Sequence, residues 1–198
     1  MAQINDIEKR KVILGEAKKL FLRFGFSKTS MEDIANQCNM AKPTLYYYYN
    51  NKEAIFDAIV SGEADHFVKN LHQKLNIDLP ADQKLIRFLN LIYDHLNTYA
   101  RELAKMPDML CESSPHGRPV VKKIRESFRE ILSQILQEGR SDGTFRIPDE
   151  EVQLNAMALL ISFLNLDWMQ KNVEPARKQT FDAVVVILLN GLRKGPEC

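Results

Sequence analysis

The residues of this sequence that could carry out recognisable chemistry lie within residues 29–52. Lys42-Pro43-Thr44 precedes Leu45 in that stretch, and four tyrosines, Tyr46 to Tyr49, follow it. Successive side chains on a helix turn by about 100°, so four consecutive tyrosines cannot all face a core. Exposed hydroxyl, ammonium and aromatic groups suit contacts with base edges, thymine methyl groups and phosphates. The pattern therefore indicates a surface that binds DNA.

Two short helical patterns position this surface, with the turn Asn39-Met40-Ala41 between them. Ser30 is a suitable N-cap for the first helix, and Asp33 three residues later completes a variant of the capping box. The second helix is predicted over about residues 43–49, where Pro43 in the first turn costs no hydrogen bond. The pair is typical of a helix-turn-helix whose second helix enters the DNA major groove.

Within the second helix, Leu45 is expected to be the main core residue, helped by Tyr49. The tyrosines at positions 46–48 then lie on the other faces, and an aromatic patch that binds another protein is the alternative interpretation of them. Lys52 falls in the first turn of the next helix, where its charge opposes the helix dipole. A lysine placed in this way often has another partner, and a phosphate bound at the helix N-terminus would be one.

Length and composition indicate a water-soluble globular protein. The 198 residues allow one large domain, or a small one fused to a larger one, and 45% hydrophobic with 27% charged residues excludes wholesale disorder. No apolar run approaches the roughly 18 residues that span a bilayer, and the N-terminus lacks the apolar core of a signal peptide. We therefore expect a cytoplasmic protein with no membrane contact. The net charge is +1; residues 1–60 hold nine Lys and Arg against seven Asp and Glu, which permits DNA binding without demanding it.

No catalytic or metal-binding arrangement is visible in the sequence. Cys38, Cys111 and Cys198 are widely separated, so neither a disulfide framework nor a zinc finger is supported. The four histidines show no metal-ligand spacing, and no nucleophile or carboxylate pair has a defensible pattern. We predict no cofactor, no metal and no catalysis. An enzyme built on a helical bundle is the competing interpretation, and turnover without DNA would identify it.

Helical periodicity extends along nearly the whole chain, and no run alternates as a strand would. About nine helices and no sheet are expected. One long helix is predicted from Lys52 to about Asn76, which makes it the natural connection between the DNA-binding segment and the rest. Further helices are expected up to about Ala104, over residues 120–140, after Pro148 and over residues 175–193.

The region after residue 60 could hold a small molecule between its helices. Aromatic, sulfur-containing and polar residues at helical spacing are the candidates, although such residues line a core more often than a pocket. The candidate pocket residues are His66, Phe67, Asn70, Phe88, Tyr93, His95, Tyr99, Met106, Met109, Cys111, Phe128, Phe163 and Trp168. This set would suit an apolar or amphipathic effector, since no charged cluster indicates a phosphate, nucleotide or metal.

The last two long helical patterns are apolar on nearly all sides, which indicates a subunit interface in addition to a core. In the helix after Pro148 one apolar face contains Leu154 and another contains Val152. Two such helices from each of two subunits would form an intermolecular four-helix bundle, whereas a monomer that encloses both helices is the alternative. The predicted interface residues are Leu154, Met157, Ile161, Leu164, Trp168, Val186 and Ile187.

Three segments of the first sixty residues resemble the DNA-binding segment of the tetracycline-repressor (TetR) family. They are Thr-Ser-Met-Glu-Asp-Ile-Ala at 29–35, Ala-Lys-Pro-Thr-Leu-Tyr-Tyr-Tyr-Tyr at 41–49, and Asn51-Lys52-Glu53 followed by Ile55-Phe56. The resemblance covers about residues 6–60. The family often has glycine where this chain has Pro43, a difference that bears on base preference rather than on fold.

The resemblance also implies roles for single residues. The implied readers of base edges are Lys42, Pro43, Thr44, Tyr46 and Tyr47. The implied phosphate contacts are Thr29, Ser30, Tyr48 and Lys52.

For the whole chain, the resemblance implies an all-α fold with two domains. Residues 1–52 would form a three-helix helix-turn-helix domain, and a long helix would join it to a ligand-binding and dimerisation domain at 53–198. The implied function is that of a ligand-responsive transcriptional regulator, usually a repressor, which binds a palindromic operator in double-stranded DNA as a homodimer. A DNA-binding nucleoid or scaffold protein of the same fold without an effector is the alternative.

Overall fold

The computed structural model describes residues 2–103 and 117–193, and helices make up most of these ranges. The pairing of Phe145 with Arg193 is an isolated bridge, in which the Arg146 N–H donates to the Leu192 carbonyl at 2.7 Å. The all-α prediction is confirmed for the described ranges. Their helices are α1 (Ala2–Phe24), α2 (Met31–Gln37), α3 (Lys42–Tyr48), α4 (Lys52–Leu75), α5 (Ala81–Leu103), α6 (Gly117–Ser141), α7 (Glu150–Ser162), α8 (Leu166–Lys171) and α9 (Ala176–Leu192).

Packing divides the chain into two compact units. Among the described residues, unit 1 comprises 2–66 with 101–103 and 117–121, and unit 2 comprises 67–100 with 122–193. Helix α4 begins in unit 1 and ends in unit 2, as a helix connecting the two was expected to do. The domain boundary after residue 52 stays a prediction, because a compact packing unit and a functional domain are different properties. Within the described ranges, no helix is both long and apolar enough to cross a membrane.

The core of unit 1 is built around α1 to α3 and the first half of α4. Helix α1 ends where Gly25 adopts a positive φ of 88°, a conformation that glycine accepts without strain and that commonly terminates a helix. The chain then returns through residues 25–30 to begin α2. The buried apolar side chains of this core are Ile13, Ala17, Leu20, Phe21, Met31, Ile34, Ala35, Cys38, Leu45, Tyr48, Ile55, Phe56 and Val60.

The core of unit 2 draws on the second half of α4 and on helices α5 to α9. Its largest fully buried side chains are Phe88 and Phe181. At one point α6 is approached very closely, because the ring of Phe145 packs directly over Gly139. A side chain at position 139 would meet that ring, so glycine is required there for packing rather than for backbone conformation.

The helix predicted after Pro148 is interrupted. Helix α7 ends at Ser162, and Asn165 begins α8 as an N-cap whose side-chain oxygen accepts from the Trp168 N–H at 2.9 Å. An asparagine cap satisfies a helix N–H that would otherwise lack a partner, and its side chain competes with continued helix. The apolar periodicity runs across this break, which explains why the sequence pattern suggested a single helix.

Candidate nucleic-acid interface and the candidate sites of unit 2

Local hydrogen bonds fix both ends of α2. The Ser30 side chain accepts from the Asp33 N–H at 3.2 Å, and the Asp33 carboxylate accepts from the Ser30 N–H at 2.8 Å, so the predicted capping box is present. At the other end of α2, Asn39 takes a positive φ of 52°, which asparagine tolerates better than most residues. The Met40 N–H then donates to the Ala35 carbonyl at 2.9 Å, and α3 begins at Lys42.

Most of the predicted base readers lie on exposed parts of α3. Lys42 and Pro43 are exposed, Tyr46 is 43% exposed and Tyr47 75% exposed, whereas Thr44 is half-buried. The structure therefore brings the five residues together on one short helix. Two large tyrosines left in solvent are uncommon on a surface that contacts nothing, and their hydroxyl groups keep the ability to donate and accept.

Lys42 has an acidic neighbour on α2. Its Nζ lies 3.1 Å from a carboxylate oxygen of Glu32, and both side chains are at least half exposed. Exposed ion pairs of this kind contribute little to folding. The Lys42 ammonium therefore remains accessible to another anion.

Tyr48 lies in the core of unit 1, so the prediction that it faces outward is wrong, whereas Tyr49 packs partly buried against the same core, as expected. Tyr48 is 8% exposed and its hydroxyl donates to the Asp6 carboxylate at 2.7 Å. Position 48 follows Leu45 by three residues and so shares its helix face. Tyr49 is the C-cap with φ −145° and ψ 125°, so it has already left the helix and is only half-buried. The hydrogen bond to Asp6 and burial raise the pKa of Tyr48.

Two of the remaining predicted phosphate ligands differ sharply in accessibility. Thr29 is 3% exposed, and its hydroxyl donates to the Gly25 carbonyl at 2.8 Å. Ser30 is exposed, and its hydroxyl donates to the Asp33 carboxylate at 2.6 Å. That hydroxyl contact, followed by the Ser30 N–H, lowers the pKa of Asp33. Ser30 is thus the more accessible of the two, and the phosphate contacts of both stay predictions.

The fourth predicted phosphate ligand, Lys52, is partly buried and points towards main-chain oxygens. Its Nζ donates to the carbonyls of Phe26 at 2.8 Å, Thr29 at 3.1 Å and Ser27 at 3.4 Å. The ammonium also lies 4.4 Å from the centroid of the Phe26 ring. The expected second partner of this lysine is therefore present, and it is a set of carbonyl groups of the same chain.

Five of the candidate pocket residues form an aromatic cluster in unit 2. The rings of Phe67 and His95 stack with centroids 3.6 Å apart, and His95 stacks on Tyr99 at 5.8 Å. Phe128 contacts Phe67 and Phe88 edge to face, at 6.1 Å and 5.5 Å. Phe67 and Phe88 are buried and the other three are partly exposed. The predicted grouping is thus found for this subset, and whether a ligand binds there stays a prediction.

The other candidate pocket residues have different surroundings. Met106, Met109 and Cys111 lie outside the described residues. His66 is exposed and Asn70 is half-buried. Trp168 packs partly buried against the core of unit 2, and Tyr93 is buried in a polar network. Phe163, in contrast, lies on the surface of α7 with 63% of its side chain exposed.

The polar network around Tyr93 is centred on Arg177, a residue that the sequence interpretation did not single out. Its guanidinium donates to the Met169 carbonyl at 2.6 Å, to Asn97 Oδ1 at 2.6 Å and to Glu174 Oε1 at 3.0 Å. The Tyr93 hydroxyl donates to the same Glu174 oxygen at 2.5 Å. Arg177 thereby connects α5, α8 and α9 within unit 2.

A signal for this network was present in the sequence. Arg177 precedes Phe181 by four residues and so lies on the buried stripe of α9 with Val185 and Leu189. A buried arginine requires partners, since an unpaired charge in a core is costly. The hydrogen bond from the Tyr93 hydroxyl lowers the pKa of Glu174 most, and Arg177 lowers it further. Burial and the hydrogen bond to Glu174 raise the pKa of Tyr93.

The predicted interface residues divide into a group in or against the core of unit 2 and an exposed group. Leu154, Met157 and Ile161 are at most 8% exposed and belong to its core, so their expected exposure on a subunit surface is wrong. Leu164 and Trp168 pack partly buried against the same core. Val186 and Ile187 are exposed, as an interface role requires.

The exposed apolar residues of α7 lie on the other of its two predicted apolar faces, the one that contains Val152. We define the outer stripes as Val152, Leu159, Leu160 and Phe163 on α7 and Val186 and Ile187 on α9, whose exposed fractions range from 40% to 69%. Periodicity shows that α7 has two apolar faces but cannot tell which of them meets the core of its own chain. Large apolar residues clustered in this way on a surface commonly mark an interaction site.

Comparisons with known proteins agree with this geometry. Residues 13–59 match the model of the bacterial regulatory proteins of the tetR family. The chain is 25% identical over 175 residues to the uncharacterised HTH-type transcriptional regulator YhgD of Bacillus subtilis, covering 88% of this chain and 91% of that one. It is 24% identical over 186 residues to IcaR of Staphylococcus aureus, a negative transcriptional regulator of the icaADBC biofilm operon, covering 92% and 98%.

The same fold is found in a solved structure. The transcriptional regulator FadR of Bacillus subtilis, in complex with stearoyl-CoA, superposes with a TM-score of 0.65 at 22% identity. The match covers 91% of this chain and 98% of that one. At this identity the similarity shows a shared fold and carries no conclusion about a shared ligand.

Proposed function

Because this chain belongs to the TetR family of bacterial regulatory proteins, we propose that it is a ligand-responsive transcriptional repressor that binds a palindromic operator as a homodimer. The observation that carries the proposal is the exposed surface of α3. It presents a lysine, a proline and two tyrosines on a helix whose opposite face is buried through Leu45 and Tyr48. Acting on DNA, such a protein would work in the cytoplasm.

In the proposed complex α3 lies in the major groove. Lys42 can donate to the O6 and N7 atoms of guanine, and the Tyr46 and Tyr47 rings can pack against thymine methyl groups. Pro43 presents an apolar ring without an N–H donor, while the hydroxyl of half-buried Thr44 can reach a base edge or a phosphate. Ser30, exposed at the start of α2, is the proposed phosphate contact among the residues before the turn.

A second copy of the chain is part of the proposal, because unit 1 carries too little positive charge to bind DNA tightly alone. The outer stripes of α7 and α9 are proposed to pack against the same stripes of another copy as a four-helix bundle. Two recognition helices would then meet two half-sites, with centres about 34 Å or a multiple of that apart. A two-fold axis in the dimer requires a palindromic operator.

The effector is proposed to be apolar or amphipathic and to bind at the aromatic cluster of Phe67, His95, Tyr99 and Phe128. The stearoyl-CoA carried by FadR, a protein of the same fold, supports this chemical class. Helix α4 begins beside α3 and continues to Phe67, so the chain itself connects the two sites. A ligand lowers operator affinity only by the difference in its affinity for the DNA-competent and incompetent states.

Selection of bound duplexes from a random DNA pool tests the proposal directly. A palindromic consensus is expected, and Tyr46→Ala or Thr44→Ala should weaken binding to it by about 10- to 100-fold while most non-specific binding remains. If Lys42, Thr44, Tyr46 and Tyr47 could all become alanine with operator affinity intact, the assignment of α3 would be wrong. Screening acyl and aromatic compounds against the selected operator at fixed salt then distinguishes a ligand-responsive repressor from an effector-independent DNA-binding protein.

A further inference from the structure

Lys52 was predicted to hold a DNA phosphate, but its ammonium group has a different environment. Three carbonyl oxygens, those of Phe26, Ser27 and Thr29, lie 2.8 to 3.4 Å from Nζ. An ammonium group has three N–H bonds, so these carbonyls can occupy all of its donors. The Phe26 ring covers one further side of the charge at 4.4 Å, a cation–π distance.

Electrostatics explains why the charge is stable in this place. At the first residue of α4 a cation opposes the partial positive charge of that helix end. The three carbonyls belong to the segment immediately after α1, whose last residue is Phe24, and the C-terminal end of a helix attracts a cation. Lys52 therefore places its charge on carbonyls of the loop that follows α1, close to the C-terminal end of that helix.

The carbonyls that Lys52 binds lie in the loop that leads into α2. Thr29 accepts from Lys52 through its carbonyl and donates its hydroxyl to Gly25, and the next residue, Ser30, caps α2. In the sequence, Lys52 comes only four residues after Tyr48, the last residue of α3. One side chain thus joins the chain directly after the recognition helix to the chain directly before the first helix of the helix-turn-helix.

We infer that Lys52 is a positioning residue that sets α3 against α2 for DNA binding, and that it is not a phosphate ligand. The inference rests on the proposed function, since it concerns how the DNA-binding surface is held. Removing the ammonium should release residues 26–30 and weaken DNA binding through loss of geometry. It should leave the number of phosphates that the protein neutralises unchanged.

Salt dependence separates these two roles. For duplex DNA, each phosphate that a lysine neutralises contributes about 0.9 to the slope of log affinity against log salt concentration. With the full-length protein and its selected operator, Lys52→Met should lower affinity roughly tenfold, the effect of losing about one charge-assisted hydrogen bond, without changing this slope. Lys42→Met, which removes the exposed lysine assigned to a guanine edge, is the matched control for loss of a direct contact: it should lower affinity and relax base preference at one position of the operator, which Lys52→Met should not do.

Lys52→Arg is a second variant that decides the matter even if Lys52→Met folds poorly. Arginine binds phosphate at least as well as lysine does, so a phosphate contact would survive this change. A planar guanidinium cannot direct three donors from one point to three converging carbonyls, so a positioning role would be lost. We expect Lys52→Arg to lose affinity roughly as Lys52→Met does.

Amide hydrogen exchange supplies a readout that does not depend on DNA. Faster exchange at residues 26–30 is expected in Lys52→Met but not in Lys42→Met. A slope reduced by about 0.9 in Lys52→Met with unchanged exchange, or full affinity in Lys52→Arg, would overturn the inference. If the wild-type protein selects no DNA sequence at all, the proposed function fails instead, and that outcome is separate because it appears before any variant is compared.

Discussion

The hydroxyl of Tyr48 donates a 2.7 Å hydrogen bond to the carboxylate of Asp6, which attaches the last residue of α3 to the beginning of α1. The Arg10 guanidinium lies 5.4 Å from the centroid of the same ring, and its Nη1 donates to the Tyr48 carbonyl at 3.4 Å. Helix α3 is therefore fixed at its C-terminal end by α1. Lys52 fixes the chain that follows it, so both contacts hold the exposed face of α3 in place.

Replacing Tyr48 with phenylalanine should lower the thermal unfolding temperature, because the Asp6 carboxylate loses its partner while the ring remains. Tyr47→Phe is the matched control, since the neighbouring hydroxyl belongs to a residue that is 75% exposed. Calorimetry at neutral pH measures both variants. Equal unfolding temperatures for the two would show that the contact with Asp6 does not stabilise the fold.

The raised pKa of Tyr48 adds a pH dependence to the same test. A group whose pKa is raised on folding contributes stability that is present below its ordinary value, about pH 10 for tyrosine, and is lost as pH rises through the folded-state pKa. The wild-type protein should therefore lose stability in that alkaline range. Tyr48→Phe should lose less over the same range, whereas Tyr47→Phe should behave as the wild type does.

The helix-turn-helix could be predicted closely from the sequence because its signals are local. The Ser30 cap, the turn and the proline at the start of α3 depend on neighbours a few residues away, and each is found in the structure. The burial of Tyr48 was missed, because positions 48 and 49 both follow Leu45 at helical spacing and periodicity does not show which of them is covered more completely. Tyr49 leaves the helix and packs only partly buried against the core that encloses Tyr48.

Features that depend on distant contacts were harder to predict. The inward face of α7 is decided by what the rest of unit 2 places beside it, and both faces are apolar. Arg177 finds Asn97 eighty residues away, and Lys52 finds carbonyls more than twenty residues earlier. Side-chain type indicates that such residues need partners, whereas the identity of the partner follows only from the fold.

Gly139→Ala should destabilise the protein by about 1–3 kcal/mol, because the new Cβ would lie 2.1 Å from a carbon of the buried Phe145 ring. Gly62→Ala is the control: position 62 is also within a helix, is exposed, and has nothing within 4 Å of a Cβ. That change should stabilise by roughly 0.5–1 kcal/mol through higher helix propensity. Urea unfolding measures both, and similar effects of the two changes would contradict this account of Gly139.

Arg177→Met should destabilise the protein by about 3 kcal/mol, since it leaves Asn97, Glu174 and the Met169 carbonyl without their buried donor. Lys171→Met, in α8, removes one partner of an exposed ion pair and should change the unfolding free energy little. Chemical unfolding at pH 7 provides the comparison. If the two variants unfold at the same denaturant concentration, the network does not hold unit 2 together.

The lowered pKa of Glu174 gives the Arg177 network an acid dependence. A carboxyl group whose pKa falls on folding contributes stability above its ordinary value, about 4.3 for glutamate, and that stability is lost as pH falls through the folded-state pKa. Wild-type stability should therefore decline at acidic pH partly through this group. Glu174→Gln should show a shallower decline, and unchanged steepness would exclude Glu174 as a contributor.

Phe163→Asp should disrupt the proposed dimer, because it places a charge in the outer stripe of α7, where the side chain is 63% exposed in the single chain. Burying an unpaired carboxylate between two copies is costly, so the dimer dissociation constant should rise by at least about tenfold. Val173→Asp is the control, as Val173 is 73% exposed but lies in the segment between α8 and α9 rather than in either outer stripe. Sedimentation equilibrium measures both constants. A dimer that tolerates Asp at 163 as well as at 173 would place the subunit interface elsewhere.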